Sequence, residues 1–358
     1  MVRQDSVWHR YTQEAMSTTV RSYAKINLGL RIGPPRADGF HELHTLYQSI
    51  GLHDEVTVTA KAAAATRITM DCTDPRVPTD ARNTAFRTVE MALTAMGITA
   101  EVHLSLTKNL PVQGGLGAGS ANAAAALLGL ERELGTALPG PQRMALTERI
   151  GSDVPLFLVG GTVYGHNRGQ IVLPYPDLPA MHCVIFAPTV GSSTPLAFKA
   201  WDEQVSRLTA EAAQDRLDEL SRVYASAFAC TGADSQTGAS GAFGALDAGH
   251  ETLQRSGSLA GNPLPALVRT GIANDFEEVV FQQHPFLRDI LHAIKGDEAL
   301  GESSAVVAAL SGSGSSLFGL YRTEADAEAA QARTAEFAGR SFRTITLTRE
   351  AYWSSMFV

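Results

Sequence analysis

The stretch LPVQGGLGAGSANAAAA, residues 110–126, constrains this chain more than any other. Gly114, Gly115, Gly117 and Gly119 stand between an alternating segment, EVHLSLTKNLP (101–111), and an alanine- and leucine-rich run, ANAAAALLGLERELG. Alternation at period two marks a half-buried strand, and the Ala/Leu run has high helix propensity. A strand, a glycine loop and a helix in that order make an anion-binding arrangement. Glycine lets the backbone approach a ligand closely and take positive φ. The unpaired N–H groups and the dipole at a helix start then favour phosphate. The bland alternative is a hinge whose glycines serve only tight packing.

Two common phosphate loops fit poorly. A Walker loop needs Lys-Ser/Thr directly after its last glycine, and after Gly119 stand Ser120-Ala121 and then Asn122, with no lysine. A dinucleotide fingerprint can be forced onto Gly115, Gly117 and Ser120, but no acidic residue follows at the usual distance.

Composition narrows the ligand class. A formal net charge of -8 leaves no global basic field for nucleic acid or anionic membrane. An anionic ligand would therefore be held by local cations and backbone N–H groups, and neither nucleic acid nor membrane is expected as a partner. Cys72, Cys183 and Cys230 are far apart and lack metal-ligand spacing, which reads as three reduced thiols. No apolar run is long enough to span a bilayer, and the first residues, MVRQDSVWHRYTQEAM, have no apolar signal core. The expected setting is the cytoplasm, as a monomer or homodimer.

Along the chain, residues 1–20 show no clear period and read as a loose extension. SYAKINLGLRI (22–32) and DEVTVTA (54–60) alternate as strands should, while HELHTLYQSIGL between them is apolar but ambiguous. Residues 84–96 read as a helix, and 154–163 and 181–187 as strands. From 225 to 264 Ala, Ser, Gly and Asp accumulate, and this stretch reads as a mobile insertion. Two helical segments follow across 274–294, separated at His284-Pro285. Then come the strands AVVAAL and LFGLY, joined by SGSGSS, and an acidic helix from Glu324. Strands and helices alternate without a simple βαβ cadence, so the expected class is α+β. The division expected is an extension (1–20), a first domain (21–180) and a second domain with the insertion (181–358).

The pattern Pro111-x-x-x-Gly115-Leu116-Gly117-x-x-Ser120-Ala121 resembles the phosphate motif of the GHMP kinases, named for galactokinase, homoserine kinase, mevalonate kinase and phosphomevalonate kinase. Ala24-Lys25-Ile26-Asn27-Leu28 resembles that family's first motif, and Ser311-Gly312-Ser313-Gly314-Ser315-Ser316 its third. The three stand in the family's order. Two longer segments, 24–56 and 150–174, resemble the branch that acts on a cytidine-diphosphate-linked methylerythritol.

The resemblance implies a GHMP fold with the active site in a cleft between two parts, a small-molecule substrate as partner, and ATP and Mg²⁺ as cofactors. Pro111, Val112, Gln113, Gly114, Gly115, Leu116, Gly117, Ala118, Gly119, Ser120 and Ala121 would wrap the ATP phosphates, with Ser120 near the metal. Gly312, Ser313 and Gly314 would support that loop. Asp153 corresponds to the family's catalytic aspartate and Lys25 to the lysine beside the acceptor hydroxyl, chemistry that suits proton removal from an alcohol. Phe40 and Phe198 would stack on the two faces of a cytosine, with His41 at its edge; Phe40 replaces the usual tyrosine. Thr194 and Asn27 match polar groups on the substrate side. Gln113 stands where many relatives have glycine. The rival readings are a GHMP kinase for mevalonate or homoserine, and a non-catalytic ligand-binding relative.

Overall fold

Two long strands near the N-terminus organise the molecule. The computed structural model describes residues 17–205, 215–218, 221–223, 273–300 and 302–358. Strand β1 (Thr18–Pro35) pairs antiparallel with β2 (His41–Ala62) along most of its length. The other edge of β2 is shared: β4 (Ala100–Thr107) pairs with its second half, and β5 (Thr162–His166) with its first. β3 (Arg67–Cys72) joins β4 in parallel and β6 (Ile171–Pro174) joins β5, completing a six-stranded sheet. A second sheet has the order β10-β7-β9-β8, formed by β7 (His182–Pro188), β8 (Val307–Leu310), β9 (Leu317–Tyr321) and β10 (Gly339–Ile345).

The helices lie outside the sheets, giving four layers. α1 (Thr84–Met96), α2 (Ala118–Leu134) and α3 (Gly140–Ile150) share a core with the first sheet through Val56, Val58, Leu104, Val89 and Leu127. α4 (Thr194–Val205), α5 (Phe276–Gln283), α6 (Phe286–Lys295) and α7 (Glu324–Arg333) border the second sheet. Between the sheets lies a third core. β7 shows why its sequence reads as one apolar run: Cys183 and Ile185 face the first sheet, while Val184 and Phe186 face the helices. A strand buried on both faces has no polar alternation to show. The last helix, α8 (Arg349–Ser354), returns to the first core, where Tyr352 donates to the Phe157 carbonyl at 2.7 Å.

The mixed helix and strand content is the α+β arrangement expected, and several boundaries move. Thr18–Val20 already belong to β1, with Val20 fully buried, so the strand begins ahead of the alternating segment. Residues 1–16 and the stretch 225–264 lie outside the described residues. The strand expected over 154–163 is mostly a 3-10 turn, Pro155–Leu158, and β5 starts only at Thr162. Pro155 lacks the N–H a ladder needs, and Gly160 and Gly161, both at φ 71°, end the turn. The ambiguous 41–52 segment is continuous strand.

Candidate active site

α2 begins at the glycine loop and is buried almost all round. Ala123 through Leu127 are enclosed between α1 and the first sheet, and small side chains let this helix sit that deep. Its N-cap, Gly117, takes φ 72°, and Gly115 takes φ 74°. Gln113 adopts φ 65°, the left-handed conformation glycine would take freely, so the loop keeps a glycine-like path here despite the side chain.

The third motif packs directly on this loop. Ser311 Oγ donates to the Gly115 carbonyl at 3.1 Å, and Ser316 N donates to the Gly114 carbonyl at 3.2 Å. Asn274, buried ahead of α5, donates through Nδ2 to the carbonyls of Leu310 and Gly312 and holds the loop's path. The first motif is tied in as well, since Lys25 N donates to the Leu116 carbonyl at 3.1 Å.

These loops edge a cavity of about 1070 Å³. Lys25, Asn27, Phe40, His41, Gln113, Gly115, Gly117, Asp153, Thr194, Phe198, Gly312, Ser313 and Gly314 all line it. A second cavity, about 420 Å³, is lined by residues 111–120 together with Arg76, Arg82, Lys108 and Asn122. Gln113, Gly115 and Gly117 line both, so the glycine loop is the partition between two chambers. Ala121 lines neither: its side chain is buried in the core beneath the loop.

At the floor of the larger cavity Lys25 Nζ lies 3.6 Å from Asp153 Oδ2. Lys25 is buried and Asp153 about one-third exposed. Burial pushes the Lys25 ammonium below the ordinary lysine value, and the Asp153 charge pulls it partly back. Lys25 also donates to Asn27 Oδ1 at 2.6 Å, and Asn27 Nδ2 donates to Thr45 Oγ1, which donates to the Gly29 carbonyl, each at 2.8 Å. That chain sets which end of the Asn27 amide faces the lysine. Tyr47 completes the group: its hydroxyl donates to Asp153 Oδ1 at 3.1 Å, and Lys25 Nζ stands 5.6 Å from its ring centre. Burial first, then the Asp153 charge, holds the Tyr47 phenol well above the usual tyrosine value, so it stays a donor.

Elsewhere in the same lining, Phe40, His41 and Phe198 carry partners already. The His41 ring stacks on Phe198 with centroids 4.7 Å apart and planes 21° apart. His41 Nε2 lies 2.6 Å from Asp202 Oδ1, a contact in which the carboxylate accepts. Phe40 is half exposed, with the Arg168 guanidinium 4.6 Å from its ring centre. Thr194 Oγ1 lies 2.7 Å from Ser313 Oγ and links α4 to the third motif.

Tyr47, Thr45, Arg168 and Asp202 were not singled out from sequence, nor were Lys108 and Asn122 in the second chamber. Tyr47 had a signal. It pairs directly opposite Asn27 across the β1–β2 ladder, which puts it on the face that carries Lys25 and Asn27. The signal needs the register of two strands, which alternation within one strand does not supply.

The sequence pattern of the GHMP kinases N terminal domain matches residues 83–161, and that of the GHMP kinases C terminal matches residues 256–338. A 4-diphosphocytidyl-2-C-methyl-D-erythritol kinase from Solibacter usitatus is 36% identical over 312 residues, 86% of this chain and 83% of that one. The enzyme of the same name from Geobacter metallireducens is 29% identical over 88% of this chain and 92% of that one. Among solved structures, a 4-(cytidine 5'-diphospho)-2C-methyl-D-erythritol kinase superposes with a TM-score of 0.64 and 25% identity, covering 92% of this chain and 98% of that one. A homoserine kinase from Cytophaga hutchinsonii reaches a TM-score of 0.63 at 20% identity, over 96% of this chain and 98% of that one, which is a likeness of fold. With the three motifs meeting at one cavity and this similarity running through most of its length, the chain belongs to the 4-diphosphocytidyl-2-C-methyl-D-erythritol kinase family within the GHMP kinases.

Proposed function

We propose that this chain transfers the γ-phosphoryl group of ATP to the 2-hydroxyl of 4-diphosphocytidyl-2-C-methyl-D-erythritol, a step of the non-mevalonate route to isoprenoid precursors. The observation that carries the reading is the Lys25–Asp153 pair, 3.6 Å apart in a cavity lined by residues of all three motifs. Asp153 accepts the proton of the attacking hydroxyl as its oxygen bonds to the γ-phosphorus. The bond from that phosphorus to the bridging oxygen breaks, and ADP leaves. Lys25 supplies positive charge beside the developing alkoxide, in a buried setting where that charge counts for more than in water.

The chamber beyond the glycine loop would take the nucleotide, with residues 111–120 around its phosphates and Lys108 and Arg82 as nearby cations. Among the described residues no group of three or more His, Cys, Asp and Glu could hold a metal. That fits Mg²⁺ carried on the triphosphate, because this ion keeps few protein ligands. Ser120, in the first turn of α2, is the residue proposed to reach it. When bound, the ion supplies neutralisation of phosphate charge.

Phe40, His41 and Phe198 form the proposed cytosine end of the acceptor site, with Thr194 and Asn27 nearer the alcohol. Residues 21–180 are proposed as the ATP-binding part and 181–358 as the second part, which brings Thr194, Phe198 and the third motif to the cleft. No helix among the described residues is long and apolar enough to cross a membrane; the cytoplasm is the proposed setting. The test is ATP consumption with the cytidine-diphosphate-linked alcohol, mevalonate and homoserine offered side by side. Turnover with the first alone is expected, and comparable kcat/KM with either of the others would replace the reading.

A further inference from the structure

We infer that Tyr47 is a positioning residue for the phosphoryl transfer: its phenol holds one oxygen of Asp153 and leaves the other for Lys25 and the acceptor hydroxyl. The inference rests on the reading of Asp153 as the proton acceptor. The two carboxylate oxygens have different partners, with Oδ1 receiving the Tyr47 hydroxyl at 3.1 Å and Oδ2 facing Lys25 at 3.6 Å. Asp153 sits on the short link between α3 and the Pro155–Leu158 turn, and its side chain is 32% exposed. Such a carboxylate turns freely unless something holds it, and a base must be in line with the proton it removes.

The fold makes room for this contact at specific places. A Cβ on Gly165 would stand 2.5 Å from Cε2 of Tyr47, and one on Gly169 would stand 2.5 Å from its hydroxyl oxygen. Both glycines belong to the β5–β6 hairpin, which therefore closes over the tyrosine only because those two positions lack side chains. The Gly169 carbonyl is the other acceptor near the phenol, at 3.5 Å, the longer of the two. A phenylalanine ring would fill the same space, so packing alone gives the hydroxyl no task. The hydroxyl is aimed at Asp153, on a residue buried to 2% exposure.

Tyr47→Phe tests this in the full chain, because it keeps the ring and removes only the donor. The expected result is a fall in kcat of about tenfold, the loss of one hydrogen bond to a charged group, with KM for ATP and for the acceptor within about twofold. In an Asp153→Asn background the same change should lower kcat no further, since the group it positions is already gone. An unchanged kcat in Tyr47→Phe beside an inactive Asp153→Asn would overturn this inference alone. An equal loss in both backgrounds would also overturn it, showing a role independent of Asp153. Wild-type turnover in Asp153→Asn would remove the proton acceptor itself, and with it both readings.

Discussion

Gly115 lies so close to Ser311 that a Cβ added to it would stand 2.1 Å from the Ser311 carbonyl oxygen. The glycine loop and the third motif are thus in backbone contact, and Gly115 also holds φ 74°, where other residues are strained. Gly115→Ala should therefore force the two loops apart. The expected outcome is a raised KM for ATP and a clearly lower melting temperature. Thermal denaturation and nucleotide titration check it, and wild-type values for both would show that the loops are not coupled there.

Asp153→Asn should cost about 10²–10⁴-fold in kcat, the usual worth of a positioned base, while the protein stays folded. Lys25→Ala should fall in a similar range, because the buried charge beside the alkoxide is lost. Steady-state kinetics together with circular dichroism separate chemistry from folding. A folded Asp153→Asn enzyme at normal speed would exclude Asp153 as the base.

Activity should fall on the alkaline side as Lys25 loses its proton. Burial lowers this ammonium from the ordinary value of 10.5, so its charge disappears at a lower pH than that of an exposed lysine. The sign follows from the charged form being the useful one: turnover is full below the Lys25 pKa and is lost as pH rises through it. A pH profile of kcat that stays flat up to the pH of unfolding would show that the charge is not required.

Gln113 holds φ 65° without being glycine, at a cost of roughly 1–2 kcal/mol. Gln113→Gly relieves that strain but loosens the unfolded chain, so its net effect should lie within about 1 kcal/mol of zero. Gln113→Val should be less stable than either, because a branched side chain tolerates this conformation poorly. Urea denaturation ranks the three. A valine variant as stable as wild type would mean that the loop relaxes out of the left-handed conformation.

Phe198→Ala should weaken binding of cytidine and uridine analogues alike, by about 1–3 kcal/mol, since stacking ignores base identity. It also removes the face on which the His41 ring rests. His41→Ala should instead erode the preference for cytidine, because hydrogen bonds to a base edge carry discrimination. ATP affinity should hold in both. Calorimetric titration of each analogue decides, and unchanged cytidine affinity in both variants would move the base away from these residues.

Much of the fold was legible locally. Residues 101–111 alternate and residues 118–134 favour helix, so the strand, loop and helix around residues 110–126 follow from period and propensity. The glycines at 115 and 117 announce backbone that other residues avoid, and that need is visible in sequence order alone. The segment 154–163 misled because an apolar run cannot by itself tell a strand from a turn anchored by Pro155.

By itself, then, the sequence determined the strand–glycine loop–helix unit, the order of the three motifs and the residue types at the cleft, because each is written in contiguous residues. Only the tertiary structure decided which of them touch. Lys25 meets Asp153 because β1 passes beneath the start of α2 and the turn after α3 comes down beside it. Tyr47 reaches Asp153 through the β1–β2 register, Asp202 reaches His41 from α4, and Ala121 turns away into the core. These are contacts between segments far apart in the chain, set by strand register and by which face of each element is buried, and local propensity carries no record of either.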